Sequence, residues 1–159
     1  MRAVIQRVSS SCVSVDGEVK GSIKKGYNIL LGVMHGDGQN EAELLAKKIA
    51  TLRVIEDEEG KMNLSIIDTG GEVLVISQFT LCADMKKGNR PSFFPSAEPQ
   101  TANELYEYFC ECLKQNGIKK IEKGVFGSDM LVEINNDGPV TIVMDTEIWS
   151  KKNAENNPN

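Results

Sequence analysis

The spacing of apolar positions changes several times along the chain, and each change predicts an element. From Ala3 to Val15 apolar and polar residues alternate, as in a half-buried strand. Asp16-Gly17 supplies a turn, and Glu18–Ile23 reads as the returning strand. A second turn at Lys24-Lys25-Gly26 leads into Tyr27–Val33, so the chain opens as a meander. The period then lengthens. Leu45, Ile49 and Leu52 share one face of a helix expected over 41–52, with Asn40 as its N-cap and Glu41 and Glu43 at the end where negative charge is favourable.

Two short runs follow, Arg53-Val54-Ile55 and Asn63–Ile67, separated by a polar turn through Asp57–Gly60. After Gly70-Gly71, the residues Val73–Ile76 are apolar without alternation, which predicts a strand buried on both faces. Cys82–Gln100 reads as a loop carrying Pro91, Pro95 and Pro99; a loop this long inside a compact domain is either functional or disordered. A helix is expected from Thr101 or Ala102 to Asn116, with Ala102, Leu105, Tyr106, Phe109 and Leu113 on one face and Gly117 as its stop. Strands are expected near 118–122, 130–134 and 140–145. The last two form a hairpin around Asn136-Asp137-Gly138, with Pro139 opening the returning strand although it has no N–H for the ladder.

Composition narrows the classes. A hydrophobic fraction of 40% and a charged fraction of 26% are those of a globular chain. The net charge of −5 argues against indiscriminate nucleic-acid binding, which needs many phosphate contacts from Lys and Arg. It leaves room for a local basic site such as Lys86-Lys87-Gly88-Asn89-Arg90-Pro91, whose simpler reading is a solvated loop. No membrane span is expected, because the longest nearly uncharged apolar stretch, Tyr27–Met34, falls far short of the ~20 residues needed. The opening residues lack the continuous apolar core of a secretory signal. Cys12, Cys82, Cys110 and Cys112 contain no CxxC pair and read as reduced thiols of a cytoplasmic protein. With a single histidine, His35, no metal site and no cofactor are expected.

Ser77–Asp84, SQFTLCAD, gathers hydroxyls and an amide where the buried strand becomes a long loop, the position at which ligands tend to sit in α/β sheets. Their simpler role is to satisfy backbone groups. A Ser or Thr nucleophile needs a base, and no SxxK or GxSxG frame supplies one. Phosphate-loop, GxGxxG and HExxH patterns are also missing.

Taken together, SQFTLCAD at 77–84, KGNRPSF at 87–93, GVFGSDM at 124–130 and NDGPVT at 136–141 resemble the D-aminoacyl-tRNA deacylase family, as do IQRV at 5–8 and DEEGKMNLS at 57–65. The resemblance spans about residues 1–145. With the pattern above it implies an α+β fold: a single domain over 1–148 with a mixed or antiparallel, barrel-like β-sheet and two main helices packed on it, then a polar tail at 149–159 expected to be disordered. It further implies a homodimer that hydrolyses the ester joining a D-amino acid, or glycine, to the terminal adenosine of tRNA. Ser77, Gln78 and Thr80 are the implied catalytic residues. Phe79, Phe126, Met130 and Ala102 are the implied substrate contacts, with Gly138 and Pro139, whose cis peptide reaches from one subunit into the pocket of the other and rejects L-amino acids. Lys86, Lys87 and Arg90 would meet acceptor-stem phosphates. Cys82 departs from the family pattern, where a small alanine is common; a thiol there is expected to tighten the pocket floor or add redox sensitivity. Two other readings compete: a non-catalytic tRNA- or DNA-associated binding module on the same fold, and a metal or thiol hydrolase using His35 and a cysteine.

Overall fold

β1, Arg2–Val15, is the strand from which the other elements are built. One of its edges pairs antiparallel with β3 (Gly26–Gly32) over the first half and with β2 (Glu18–Ile23) over the second. β6 (Glu72–Ser77) adds to β3 in parallel, and β7 (Ile121–Lys123) adds to β6 in parallel. β8 (Leu131–Asp145) takes the other edge of β1, completing a six-stranded mixed sheet. The computed structural model describes residues 1–149, so the expected polar tail from Ser150 onward lies outside the described residues. Trp149 itself packs on the core, with Lys48 Nζ 5.4 Å from its ring centre.

The sheet curls into a nearly closed barrel, and β2 comes to lie against β6 and β7. A Cβ on Gly21 would stand 3.0 Å from the Lys123 carbonyl and 3.2 Å from Leu74 Cδ1, so glycine is what lets the strands approach. Val8, Val13, Ile23, Leu74 and Ile76 fill one side of the sheet. On the other side Ala3, Ile5, Tyr27, Ile29, Val73 and Val75 meet two long helices, α1 (Gln39–Ala50) and α3 (Pro99–Gln115), which also pack on each other. β6 is therefore covered on both faces, as its unbroken apolar run predicts. Buried Tyr106 of α3 satisfies its hydroxyl by donating to the Val75 carbonyl at 2.7 Å.

Both helices begin earlier than the sequence suggests. α1 is capped at Gly38, whose N–H donates to Glu41 Oε2 at 2.8 Å, and not at Asn40. α3 takes Pro99 into its first turn, where a missing N–H costs nothing; proline is thus a start signal here and not part of the loop. Between α1 and β6 lie a small ladder of β4 (Ile55–Glu56) and β5 (Met62–Leu64) and the short α2 (Ile66–Thr69), capped by Ser65.

The expected hairpin at 130–145 does not form. Residues 131–145 are one strand, paired with β1 from Arg2↔Asp145 to Ser14↔Leu131. Asn-Asp-Gly-Pro instead makes a bulge: between the pairs Gln6↔Thr141 and Val8↔Asn136 the single residue Arg7 faces Asp137, Gly138, Pro139 and Val140. The Gly138-Pro139 peptide is cis. Turn-forming residues serve a bulge as well as a hairpin, and only the partner strand decides between them.

Arg7 holds this bulge. Its Nε donates to the Asp137 carbonyl at 3.1 Å and its Nη1 to the Val54 carbonyl at 2.8 Å, while Glu56 lies 3.6 Å from Nη2. Elsewhere the α-amino group of Met1, fully buried, donates to Asp37 Oδ1 at 2.7 Å and to Thr146 Oγ1 at 2.6 Å, tying the start of β1 to the loop before α1.

Two stability predictions follow from these contacts. Asp37→Ala leaves a buried ammonium without its counter-charge and should cost about 3–5 kcal/mol of unfolding free energy in urea titration. At Gly138, φ is 125° and a Cβ would stand 2.8 Å from Arg7 Nη2 and 2.9 Å from Val140 Cγ2. Gly138→Ala should therefore destabilise by about 1–3 kcal/mol in the same titration.

Candidate active site

Where β6 ends, Ser77 and Gln78 leave the sheet, and the backbone tightens into a 3₁₀ turn over Phe79–Cys82. Three contacts fix that turn. The Gln78 N–H donates to the Leu31 carbonyl at 2.8 Å, Arg2 Nη1 donates to the Leu81 carbonyl at 3.0 Å, and Arg2 is itself held by Asp145 at 2.9 Å. Gly32 of β3 lies directly beneath. A Cβ there would meet Leu81 Cβ at 3.0 Å and the Gln78 carbonyl at 3.1 Å, so only glycine lets the turn sit this low.

The turn forms one wall of a cleft of about 520 Å³. A second wall is the segment before α3 and its first turn, with Ser96, Ala97 and Ala102. The third runs from Phe126 to Met130 and Val132. Phe126 rests against the buried Tyr106 ring at 6.0 Å between centres. Met130 lies across the backbone of Gly124, where a Cβ would be 2.6 Å from its sulfur. Of the sequence candidates, Ser77, Gln78, Phe79, Ala102, Phe126 and Met130 thus converge on one cleft.

Its chemistry is nearly neutral. Asp129 is the one ionisable side chain among the lining residues, and it is exposed. Thr80 is exposed at the outer side of the turn and is not among the lining residues; its oxygen accepts a hydrogen bond from Gln78 Nε2. Cys82 faces inward, fully buried, with its thiol donating to the Val33 carbonyl at 3.3 Å. Burial pushes its pKa up, which keeps it a thiol and opposes the redox sensitivity considered for it. Cys110 and Cys112 are both buried in α3, and burial pushes the Cys110 thiol up to about 12.

Gly138 and Pro139 are not brought to this cleft. Gly138 borders a different one, of about 830 Å³, with Arg7, Lys24, Lys25, Gly71 and Glu72. Glu72 and Ser77 are opposite ends of β6, about 16 Å apart at strand rise. Lys86, Lys87 and Arg90 lie together on an exposed loop whose base is pinched by a two-way hydrogen-bonded bridge between Asp84 and Ser92.

Arg7, Gly32 and Gly124 shape these sites; Gly32 lies outside the sequence motifs, while Arg7 and Gly124 fall within IQRV and GVFGSDM, which assign them no role. Arg7 carried one usable signal, a long cation in the middle of an alternating strand. Gly32 carried none, because its importance is a close approach between segments distant in sequence.

Comparison with known proteins agrees with this architecture. A family model described as D-Tyr-tRNA(Tyr) deacylase matches residues 4–145. A protein named D-aminoacyl-tRNA deacylase from Anaeromyxobacter dehalogenans (strain 2CP-C) is 54% identical over 92% of this chain and 97% of its own. A relative of the same name from Aquifex aeolicus (strain VF5) is also 54% identical, over 92% and 98%. Among solved structures, a c-Myc DNA unwinding element binding protein superposes with a TM-score of 0.87 at 42% identity, covering 91% of this chain and 98% of that one. A probable eukaryotic D-amino acid tRNA deacylase superposes with a TM-score of 0.77 at 14% identity, over 91% and 98%, a likeness of fold. The match along nearly the whole chain places this protein in the D-Tyr-tRNA(Tyr) deacylase family.

Proposed function

We propose that this protein is a cytoplasmic homodimer that hydrolyses the ester of D-aminoacyl-tRNA and of mischarged glycyl-tRNA, releasing the free amino acid and tRNA. The observation that carries the reading is the convergence of Ser77, Gln78, Phe79, Phe126 and Met130 on one cleft whose single ionisable lining residue, Asp129, is exposed, in a chain whose relatives bear the deacylase name.

The terminal adenosine lies against Phe126 and Met130, the ring offering a stacking face. The aminoacyl carbonyl points at the start of the Phe79–Cys82 turn, whose first N–H groups have no acceptor within the turn and can stabilise the oxyanion. Water adds to the carbonyl carbon, and the ester C–O bond breaks. The ribose oxygen leaves with a proton, and the neighbouring 2′-hydroxyl helps activate the water. No side-chain base is required of the protein, since an aminoacyl ester is already activated. Thr80, hydrogen-bonded to Gln78 and without a base, steadies the turn in preference to attacking.

Stereoselection is the work of Gly138 and Pro139. Their carbonyls hold the substrate's amino group and fill the space an L side chain needs, whereas glycine, with no side chain, passes. Because neither residue lines the Ser77–Phe79 cleft of its own chain, and Gly138 borders the other one, they serve the cleft of a second copy. A two-fold dimer satisfies both sites at once, each subunit presenting its bulge to its partner. Lys86, Lys87 and Arg90 meet acceptor-stem phosphates, which fix position without reading sequence.

The likeness to a DNA unwinding element binding protein favours one other reading, a nucleic-acid-binding module without catalysis. Deacylation separates them: D-aminoacyl- and glycyl-tRNA should be hydrolysed well above their spontaneous rate and L-aminoacyl-tRNA should not, whereas spontaneous rates throughout would leave only binding. Thr80→Ala should keep kcat within about tenfold of the parent, and a loss of 10³-fold or more would restore Thr80 as a nucleophile. A variant shown to be monomeric by mass should lose discrimination between D- and L-esters.

A further inference from the structure

Phe94 is 93% exposed, the most exposed large apolar side chain among the described residues. Its neighbour Phe93 is half-buried, edge-on to Phe79 with 5.0 Å between ring centres, and Phe79 lines the cleft. Phe94 is therefore held at the rim, one residue from the cleft wall.

This exposure is not the looseness of a free loop. On one side the chain is fixed by the Asp84–Ser92 bridge, with N–H···O distances of 2.8 and 3.0 Å. On the other, the Pro95 carbonyl accepts the His35 N–H at 2.7 Å and the Ala97 N–H donates to the Val33 carbonyl at 3.0 Å. The backbone of Phe94 is thus anchored at both ends while its ring faces water. Anchored on both sides, the ring is presented to a ligand without the cost of ordering its backbone.

The surroundings indicate what covers it. Lys86, Lys87 and Arg90 belong to the same loop, and none has a carboxylate within ion-pair distance among the described residues. The nearby Asp84 carboxylate is turned to the Lys86 backbone N–H at 2.9 Å. A fixed aromatic face beside free cations is the chemistry of a single-stranded nucleic-acid surface, in which bases stack and phosphates pair.

We propose that Phe94 is a stacking platform for an unpaired base of the RNA strand leading into the Ser77–Phe79 cleft, immediately upstream of the terminal adenosine. The inference rests on the deacylase reading, because it assumes that the adenosine occupies the cleft. It assigns the loop two roles: the cations neutralise the strand, and Phe94 orients it.

The test compares wild type, Phe94→Ala and Phe94→Trp on D-aminoacyl-tRNA and on D-aminoacyl-adenosine, which lacks the upstream strand. Phe94→Ala should raise KM for the tRNA about tenfold, the loss of one base stack, with kcat unchanged and the small substrate unaffected; Phe94→Trp should restore KM. Equal KM values for wild type and Phe94→Ala on the tRNA would overturn the proposal. So would an equal rise on both substrates, which would place the effect in the cleft itself. A change in subunit mass on Phe94→Ala would also overturn it, identifying the ring as a protein contact. Binding of an uncharged single-stranded RNA ending in CCA reads the same surface without catalysis. If wild type hydrolyses neither ester the deacylase reading fails, but weaker RNA binding by Phe94→Ala, recovered by Phe94→Trp, still supports the platform and unchanged binding removes it.

Discussion

The change of register between β1 and β8 across Arg7 is the constraint on which the rest depends. On either side of it the two strands are zipped, Arg2 to Gln6 against Asp145 to Thr141 and Ser10 to Ser14 against Asn135 to Leu131. The residues left over have nowhere to go but out of the ladder, and they emerge as the Asp137–Val140 bulge. Arg7, opposite the bulge and nearly buried, ties it to β4 through Glu56 and to the chain after α1 through Val54. The barrel's main seam and the proposed stereochemical surface are thus one piece of backbone geometry.

The cleft at the other end of β6 is built in the same way, from main-chain placement more than from reactive side chains. Gly32 sets how low the Phe79–Cys82 turn sits, Arg2 holds the turn's end, and Gly124 sets where Met130 lies. A cleft with one ionisable side chain, the exposed Asp129, suits a reaction in which the ester is already activated and catalysis rests on main-chain donors. It also sacrifices no stability to buried, unpaired charge. The thiol beneath the turn fits this picture: buried and bonded to a carbonyl, Cys82 is packing material.

Local pattern made much of this legible. The unbroken Val73–Ile76 run marked a strand covered on both faces, and the apolar face of α3 read correctly from Ala102 to Leu113. What failed was long-range. Asn136-Asp137-Gly138 has the chemistry of a hairpin turn, and nothing within ten residues says that a strand 130 positions earlier holds both flanks in a single line. Pro99 read as loop because two other prolines precede it, yet its φ suits a first helical turn. The residues 77–80 were found because polar groups at a strand end stand out. Gly32 was not, because a close approach between distant segments leaves no trace in composition.

The proposed discriminating surface, made of carbonyls in a strand bulge, is insulated from drift. Substituting an exposed neighbour changes no atom that faces the substrate, so the filter tolerates sequence change around it that a filter of side chains would not. Its vulnerability lies in the seam. A lesion that slips β8 along β1 would move both carbonyls together, and with them Val132, which lines the Ser77–Phe79 cleft, and Asp145, which holds Arg2 on the turn. One strand thus carries the bulge and part of the cleft, so the barrel wall couples the two surfaces.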